Sequence, residues 1–171
     1  MSSSDNRAPR RAHAAAVAAI AAALAGAGCG FHLRGDASYP FATLYVATAP
    51  AAPIVVELKR ALVGTTVVDS AAAAQAILDL APVVDDKAVL SLSGGGRVSE
   101  FLLTKRVSFR LRDADGRDWL PAADIVIRRT YAYGESEVLA RELQEAQLLR
   151  EMQTDAVQQL VRRLQAAKKP G

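Results

Sequence analysis

One cysteine, two histidines and a few clustered charges are the groups in this 171-residue chain that could do specific chemistry. Cys29 has no second cysteine to form a disulfide or to build a zinc site of the usual kind. His13 interrupts an apolar N-terminal run. His32 stands three residues after Cys29 in a segment without periodicity, a poor mount for a general base. Asp85-Asp86 is a carboxylate pair, but neighbouring strand residues point to opposite faces, so it reads as a solvated bulge. Gly94-Gly95-Gly96-Arg97 has the glycines of a phosphate loop without the Lys-Ser/Thr ending, and it joins two strands instead of opening a helix. The serines sit in turns, outside any nucleophile-elbow pattern. The expectation is a protein that is not an enzyme and has no metal and no cofactor.

Arginine is what remains. Arg106, Arg110 and Arg112 share a parity, Arg97 lies in the loop before them, Arg128 and Arg129 point to opposite faces, and Arg141 comes early in the last helix. Guanidinium groups match phosphate and carboxylate geometry in a bidentate way. Two readings stay open: an anion-binding surface, or a solvated strand face that keeps a sheet edge from aggregating.

Cys29 has a more definite meaning. Arg7, Arg10 and Arg11 precede an alanine-rich run from Ala12 to Ala27, and small residues lead into the cysteine. This is the pattern of an export signal over residues 1–28. The run is shorter than the roughly 20 apolar residues of a transmembrane helix. Leu24-Ala25-Gly26-Ala27-Gly28-Cys29 resembles a lipobox, with Gly26 where a leucine is usual. Cys29 is therefore the expected lipidation site and mature N-terminus, carrying diacylglycerol and acyl groups that anchor the chain to a membrane. Gly30 after it is compatible with the outer membrane. Without residues 1–28 the chain keeps 143 residues, with 18 Lys+Arg against 17 Asp+Glu, a net charge near +1. No basic excess of the kind a nucleic-acid binder carries is left.

The elements that would position these groups follow from periodicity. Residues 29–41 form a tether and 42–167 a single domain, with 168–171 a frayed end. A short strand at Leu44-Tyr45-Val46 precedes a helix over about 53–63, opened by Pro53 and stopped by Gly64. Thr65–Val68 reads as a short strand and Ser70–Ala74 as a linker or helical turn. Three long β segments follow, over about 76–92, 101–112 and 117–133, with Ser93–Arg97 a glycine-rich connection between the first two. The first is interrupted at Asp85-Asp86-Lys87. The second alternates most clearly, with Phe101, Leu103, Val107, Phe109 and Leu111 on one side. Pro121 marks the start of the third as an edge or as unpaired. From Ser136 the apolar period changes to three or four, through Leu139, Leu143, Ala146, Leu149, Met152, Ala156, Leu160 and Leu164. The expected fold is α+β, two helices packed on one face of a mostly antiparallel four-stranded sheet.

Cys29-Gly30-Phe31-His32-Leu33-Arg34-Gly35 resembles the mature start of the LptE family of lipopolysaccharide-assembly lipoproteins. The likeness continues through the glycine-containing hairpin before Ser99-Glu100-Phe101 and the turn at Asp115-Gly116-Arg117-Asp118-Trp119-Leu120-Pro121. It closes on the helix bearing Leu148-Leu149-Arg150-Glu151-Met152 and Gln159–Leu164, so that it covers nearly all of 29–166. The resemblance implies two helices on a four-stranded sheet. It also implies an outer-membrane lipoprotein that plugs the lumen of a large β-barrel partner, assists that barrel's assembly, and binds the lipopolysaccharide the pair inserts into the outer leaflet. The basic positions it implies for that binding correspond to Arg141, in register, and Arg97, offset by a few residues; Arg106 and Arg110 on the wet strand face join them as candidates. The alternative is a free-standing periplasm-facing lipoprotein that binds an anionic ligand.

Overall fold

The computed structural model describes residues 38–48, 52–132 and 138–170, the first four residues of the last stretch by backbone alone. Six strands and two helices occupy them: β1 (Thr43–Ala47), α1 (Pro53–Ala61), β2 (Thr66–Val68), β3 (Ala76–Leu80), β4 (Val84–Leu92), β5 (Val98–Arg112), β6 (Asp118–Ala132) and α2 (Val138–Gln165). A 3₁₀ turn, Ala71–Ala73, separates β2 from β3. Cys29, the signal segment and most of the tether lie outside the described residues.

β5 organises the sheet. Along one edge its residues 100–112 pair with β6. Along the other edge it pairs with β3 at residues 109–112 and with β4 at residues 98–106. β3 and β4 are thus successive parts of one long strand running antiparallel to β5, and Ala81–Val83 is the joint between them. The Ala81 N–H still donates to the Ser108 carbonyl at 3.0 Å, but Pro82 has no N–H to give. The break expected at Asp85–Lys87 therefore sits a few residues earlier, and Asp85, Asp86 and Lys87 are ladder residues opposite Lys105, Thr104 and Leu103.

The α+β class agrees with the expectation, whereas the strand count and pairing differ. β1 adds to β3 in parallel, and β2 adds to β1 in parallel, giving a mixed six-stranded sheet. Side chains tie the start of β1 to both of its neighbours. Gln75 Oε1 accepts from the Ala42 N–H at 2.8 Å, Thr43 Oγ1 accepts from the Gln75 N–H at 2.9 Å, and the Thr65 hydroxyl donates to the Ala42 carbonyl at 3.1 Å.

One face of the sheet is dry. Leu44, Val46, Leu78, Leu80, Leu103, Val107, Phe109, Leu111, Ile125 and Ile127 share a core with Ile54, Val55 and Leu58 of α1 and with Met152, Ala156, Val157, Leu160 and Leu164 of α2. Pro53 opens α1, where a missing N–H costs nothing. Gly64, at φ +93°, carries the chain out past its end. The α2 stripe is buried from Met152 onward. Leu143, which its spacing puts on the same stripe, is 64% exposed, because the core residues that cover this helix meet its later turns. Ser136, the expected helix start, lies outside the described residues. Glu57 joins the helices, accepting from Gln153 Nε2 at 2.8 Å and from the Thr154 hydroxyl at 2.7 Å.

Candidate functional site

The side chains of β5 that point away from the helices carry the arginines singled out by parity. The cross-strand register places a carboxylate diagonal to each. Ser108 stands opposite Asp124, so Arg106 reaches Asp124 at 3.4 Å from two residues away. Arg112 stands opposite Asp118, and Arg110 donates to Asp118 at 2.6 Å and to the Gly116 carbonyl at 3.1 Å. Asp79 stands opposite Arg110, and Arg112 holds it with two N–H groups at 2.7 and 3.3 Å. That hydrogen bonding to Asp79 raises the Arg112 pKa above its ordinary value. The wet face is a ladder of three diagonal ion pairs, polar but electrically balanced. Partly exposed pairs of this kind contribute about 0–1 kcal/mol each, so their main effect is on the field at the surface.

The remaining candidates are elsewhere. Arg97 ends the β4–β5 turn, where its carbonyl accepts from the Ser93 N–H at 2.7 Å and Gly96 takes φ +77°. It is nine strand residues from Arg106, or roughly 30 Å along an extended strand. The hairpin tip and the arginine ladder are therefore separate places. Arg141 falls within the first turn of α2, where side chains lie outside the described residues, as does Cys29. The arginines do not gather into one cluster among the described residues.

Two charged groups on the inner face were not singled out by the sequence reading. Lys105 is 3% exposed and donates to both Asp85 oxygens, at 2.6 and 2.8 Å. The signal was there: Lys105 continues the buried parity of Leu103 and Val107, and Asp85 is its register partner. Adjacent Asp86 faces the other way, as period two requires. A cavity of about 330 Å³ opens beside this pair, walled by Ala52, Pro53, Pro82 and Val83. Asp85 already neutralises the lysine there.

The second group ties the hairpin to α2. Lys87 pairs with Glu145, Tyr131 donates its hydroxyl to Glu145 at 2.6 Å, and Lys87 Nζ lies 4.4 Å from the centre of the Phe101 ring, which stacks on Tyr131. Hydrogen bonding to Lys87, then to Tyr131, lowers the Glu145 pKa, and the Glu145 bond raises that of Lys87. Burial, followed by the Glu145 bond, raises that of Tyr131.

Among the described residues, no group of three or more His, Cys, Asp or Glu could hold a metal ion. No helix there is long and apolar enough to cross a membrane.

The family model for LptE, lipopolysaccharide-assembly, matches residues 41–164. Lipoprotein B from Nitrosomonas europaea, solved by NMR, is 34% identical with a TM-score of 0.70, over 80% of this chain and 91% of that one. Two crystal structures, both 22% identical, share the fold. Rare lipoprotein B from Shewanella oneidensis has a TM-score of 0.64 over 72% of this chain and 94% of its own. A minor lipoprotein from Acinetobacter baumannii has a TM-score of 0.61 over 78% and 100%. No curated protein matches the chain.

Proposed function

Because the chain belongs to the LptE family of lipopolysaccharide-assembly proteins, we propose that it is a non-enzymatic lipoprotein of the outer membrane. In this reading Cys29 is acylated after removal of residues 1–28 and anchors a short tether. The folded domain plugs the lumen of a large β-barrel subunit, assists that barrel's assembly, and binds lipopolysaccharide on its way to the outer leaflet. Arg141 and Arg97 are the first candidates for ligand contact. Arg106 and Arg110 on the wet strand face rank below them, because the family resemblance points to the first two.

The family match over 41–164 carries the proposal, since it spans the sheet and both helices. The balanced ladder of Arg106, Arg110 and Arg112 adds support. Barrel lumens are polar, and a plug needs a surface that is wet without a strong field of one sign. The alternative, a free-standing lipoprotein that takes an anionic ligand, draws less support, because the same pairing leaves this face without a positive cleft. Extraction of the full chain in mild detergent tests the proposal. It should co-purify with an outer-membrane β-barrel near one-to-one, and recovery only as a monomer would overturn it.

A further inference from the structure

The two helices run side by side, with Glu57 of α1 against Gln153 and Thr154 of α2. Their C-terminal turns come to the end of the domain where the described chain begins. Just past α1, the Thr65 hydroxyl and the Thr66 N–H both donate to the Ala42 carbonyl, at 3.1 and 2.9 Å. Gln165, the last residue of α2, has its side chain beside the Tyr39 hydroxyl. Tyr39 packs on Phe41 and Phe41 on Trp119, with ring centres 5.5 and 5.8 Å apart. The segment that leads back to Cys29 therefore leaves the domain beside the ends of both helices.

The helix layer is cationic there. From Leu58 to Val68 the chain holds Lys59 and Arg60 and no acid, and from Ala156 to Gly171 it holds Arg162, Arg163, Lys168 and Lys169 and no acid. Lys59, Arg60, Arg162, Lys168 and Lys169 are exposed, and their side chains have no ion pair or hydrogen bond among the described residues. Arg163 turns back over the Phe109 ring. The acids at this end are fewer. Asp113 and Asp115 of the β5–β6 turn share Arg117, Asp118 holds Arg110, and Asp79 holds Arg112. Asp69 follows β2 without an ion pair among the described residues, and Glu57 lies a turn back between the helices. Five unpaired cations thus outnumber Asp69, Glu57 and the one excess charge of the turn. The negative ends of two helix dipoles favour Lys59, Arg60 and Arg162, but Lys168 and Lys169 lie beyond the last turn of α2. Val63, three residues after Arg60, is 68% exposed.

We infer that this end of the domain rests on an anionic phospholipid surface, the headgroup layer of the leaflet that holds the lipid anchor. Lys59, Arg60, Lys168 and Lys169 meet the phosphates, and Val63 meets the apolar boundary beneath them. Two features select this occupant. Cys29 precedes Ser38 by nine residues, so even a fully extended tether keeps this end within about 30 Å of the acyl groups. Lysines and arginines brought that close are drawn onto an anionic bilayer by its surface potential. The inference rests on the acylation of Cys29 proposed above and adds an electrostatic contact that sets which end of the domain meets the bilayer.

The test uses the full, acylated chain in phosphatidylcholine vesicles with or without phosphatidylglycerol, each carrying a trace of dansyl-headgroup lipid. Trp119, the only tryptophan of the chain, lies at this end and serves as energy donor. Transfer to dansyl should rise in the anionic vesicles. The rise should be lost at about 0.5 M salt, where the Debye length is only a few ångströms, and in Lys168→Glu with Lys169→Glu. Lys59→Gln with Arg60→Gln should reduce it. Arg128→Glu with Arg150→Glu removes the same charge from exposed sites elsewhere and should leave the rise intact. Unchanged melting temperatures verify folding, and Lys168→Gln with Lys169→Gln replaces a reversal that fails this control. No rise in anionic vesicles, or a rise lost equally in the Arg128 and Arg150 variant, overturns the inference. No rise, with barrel co-purification lost in the lysine variant, would assign this end to the barrel and also overturn it. A chain that leaves neutral vesicles lacks its anchor, and then the acylation reading falls. Salt-sensitive capture of that chain by anionic vesicles would still support the inference, and its absence would overturn it.

Discussion

Lys105 lies beneath the sheet with its ammonium held by both oxygens of Asp85, although Asp85 itself remains 42% exposed at its side chain. The two partners are therefore unequal. Removing the carboxylate strands a charge in the core, whereas removing the lysine leaves an aspartate that water can reach. Asp85→Asn is expected to cost roughly 1–3 kcal/mol, below the value for fully buried pairs because of that exposure. Lys105→Met should be close to neutral or stabilising, and the double variant should resemble it. Urea unfolding of the four proteins checks this. Equal losses from the two single variants would contradict it.

The Lys87, Glu145 and Tyr131 cluster sets limits in pH. Glu145 is held below its ordinary 4.5, so its contribution is complete above that value and is lost as pH falls through the lower folded value. Lys87 is raised above 10.5 and Tyr131 above 10.0. Their contributions are complete below about 10 and are lost as pH rises through the folded values. Glu145→Gln should flatten the acid limb of stability measured by urea unfolding between about pH 3 and 6. An acid limb unchanged from the native protein would remove the cluster from the account.

For ligand contact the family resemblance puts Arg141 ahead of the strand arginines. Arg141→Asp is expected to weaken lipopolysaccharide binding about tenfold with no change in melting temperature. Arg106→Ala and Arg110→Ala should lower it less. Binding titrations alongside thermal melts give the order. Full affinity in the Arg141 variant would remove it from the site.

The two long hairpins turn in the same way. Gly96 and Gly116 close five-residue loops at φ +77° and +84°, their N–H groups donating to the Ser93 and Asp113 carbonyls. A Cβ at either position would meet nothing within 4 Å, so the cost of alanine is backbone strain alone, about 1–2 kcal/mol. Gly116→Ala should lower stability by that amount and Gly116→Asn by less. Denaturation midpoints decide, and a neutral Gly116→Ala would show that the turn relaxes.

Where one periodicity acted alone, the sequence was legible. Alternation over β5 separated Leu103, Val107 and Leu111 from Arg106, Arg110 and Arg112, and the structure separates them likewise. The three-to-four spacing of Met152 through Leu164 gave the buried stripe of α2. What was not legible is relational. Nothing local says that β3 and β4 share one edge of β5, or that β1 joins β3 in parallel. A carboxylate diagonal to each arginine is visible only once the register is known. Lys105 shows a different limit: its charge argues for solvent and its parity for the core, and Asp85 across the strand decides between them.

The shared edge of β5 also fixes an order of closure. β3 through β6 follow one another through short connections, so that unit needs only small loops to close. The contact of Glu57 with Gln153 spans 96 residues and with Thr154 spans 97, which makes it among the most expensive loops in entropy. During synthesis the meander can assemble before α2 exists, but with Leu103, Val107 and Ile125 still bare on the face that α2 will cover. Burial of that face thus depends on α2, and a truncation that removes this helix would leave a sticky half-sheet in place of a weakened domain.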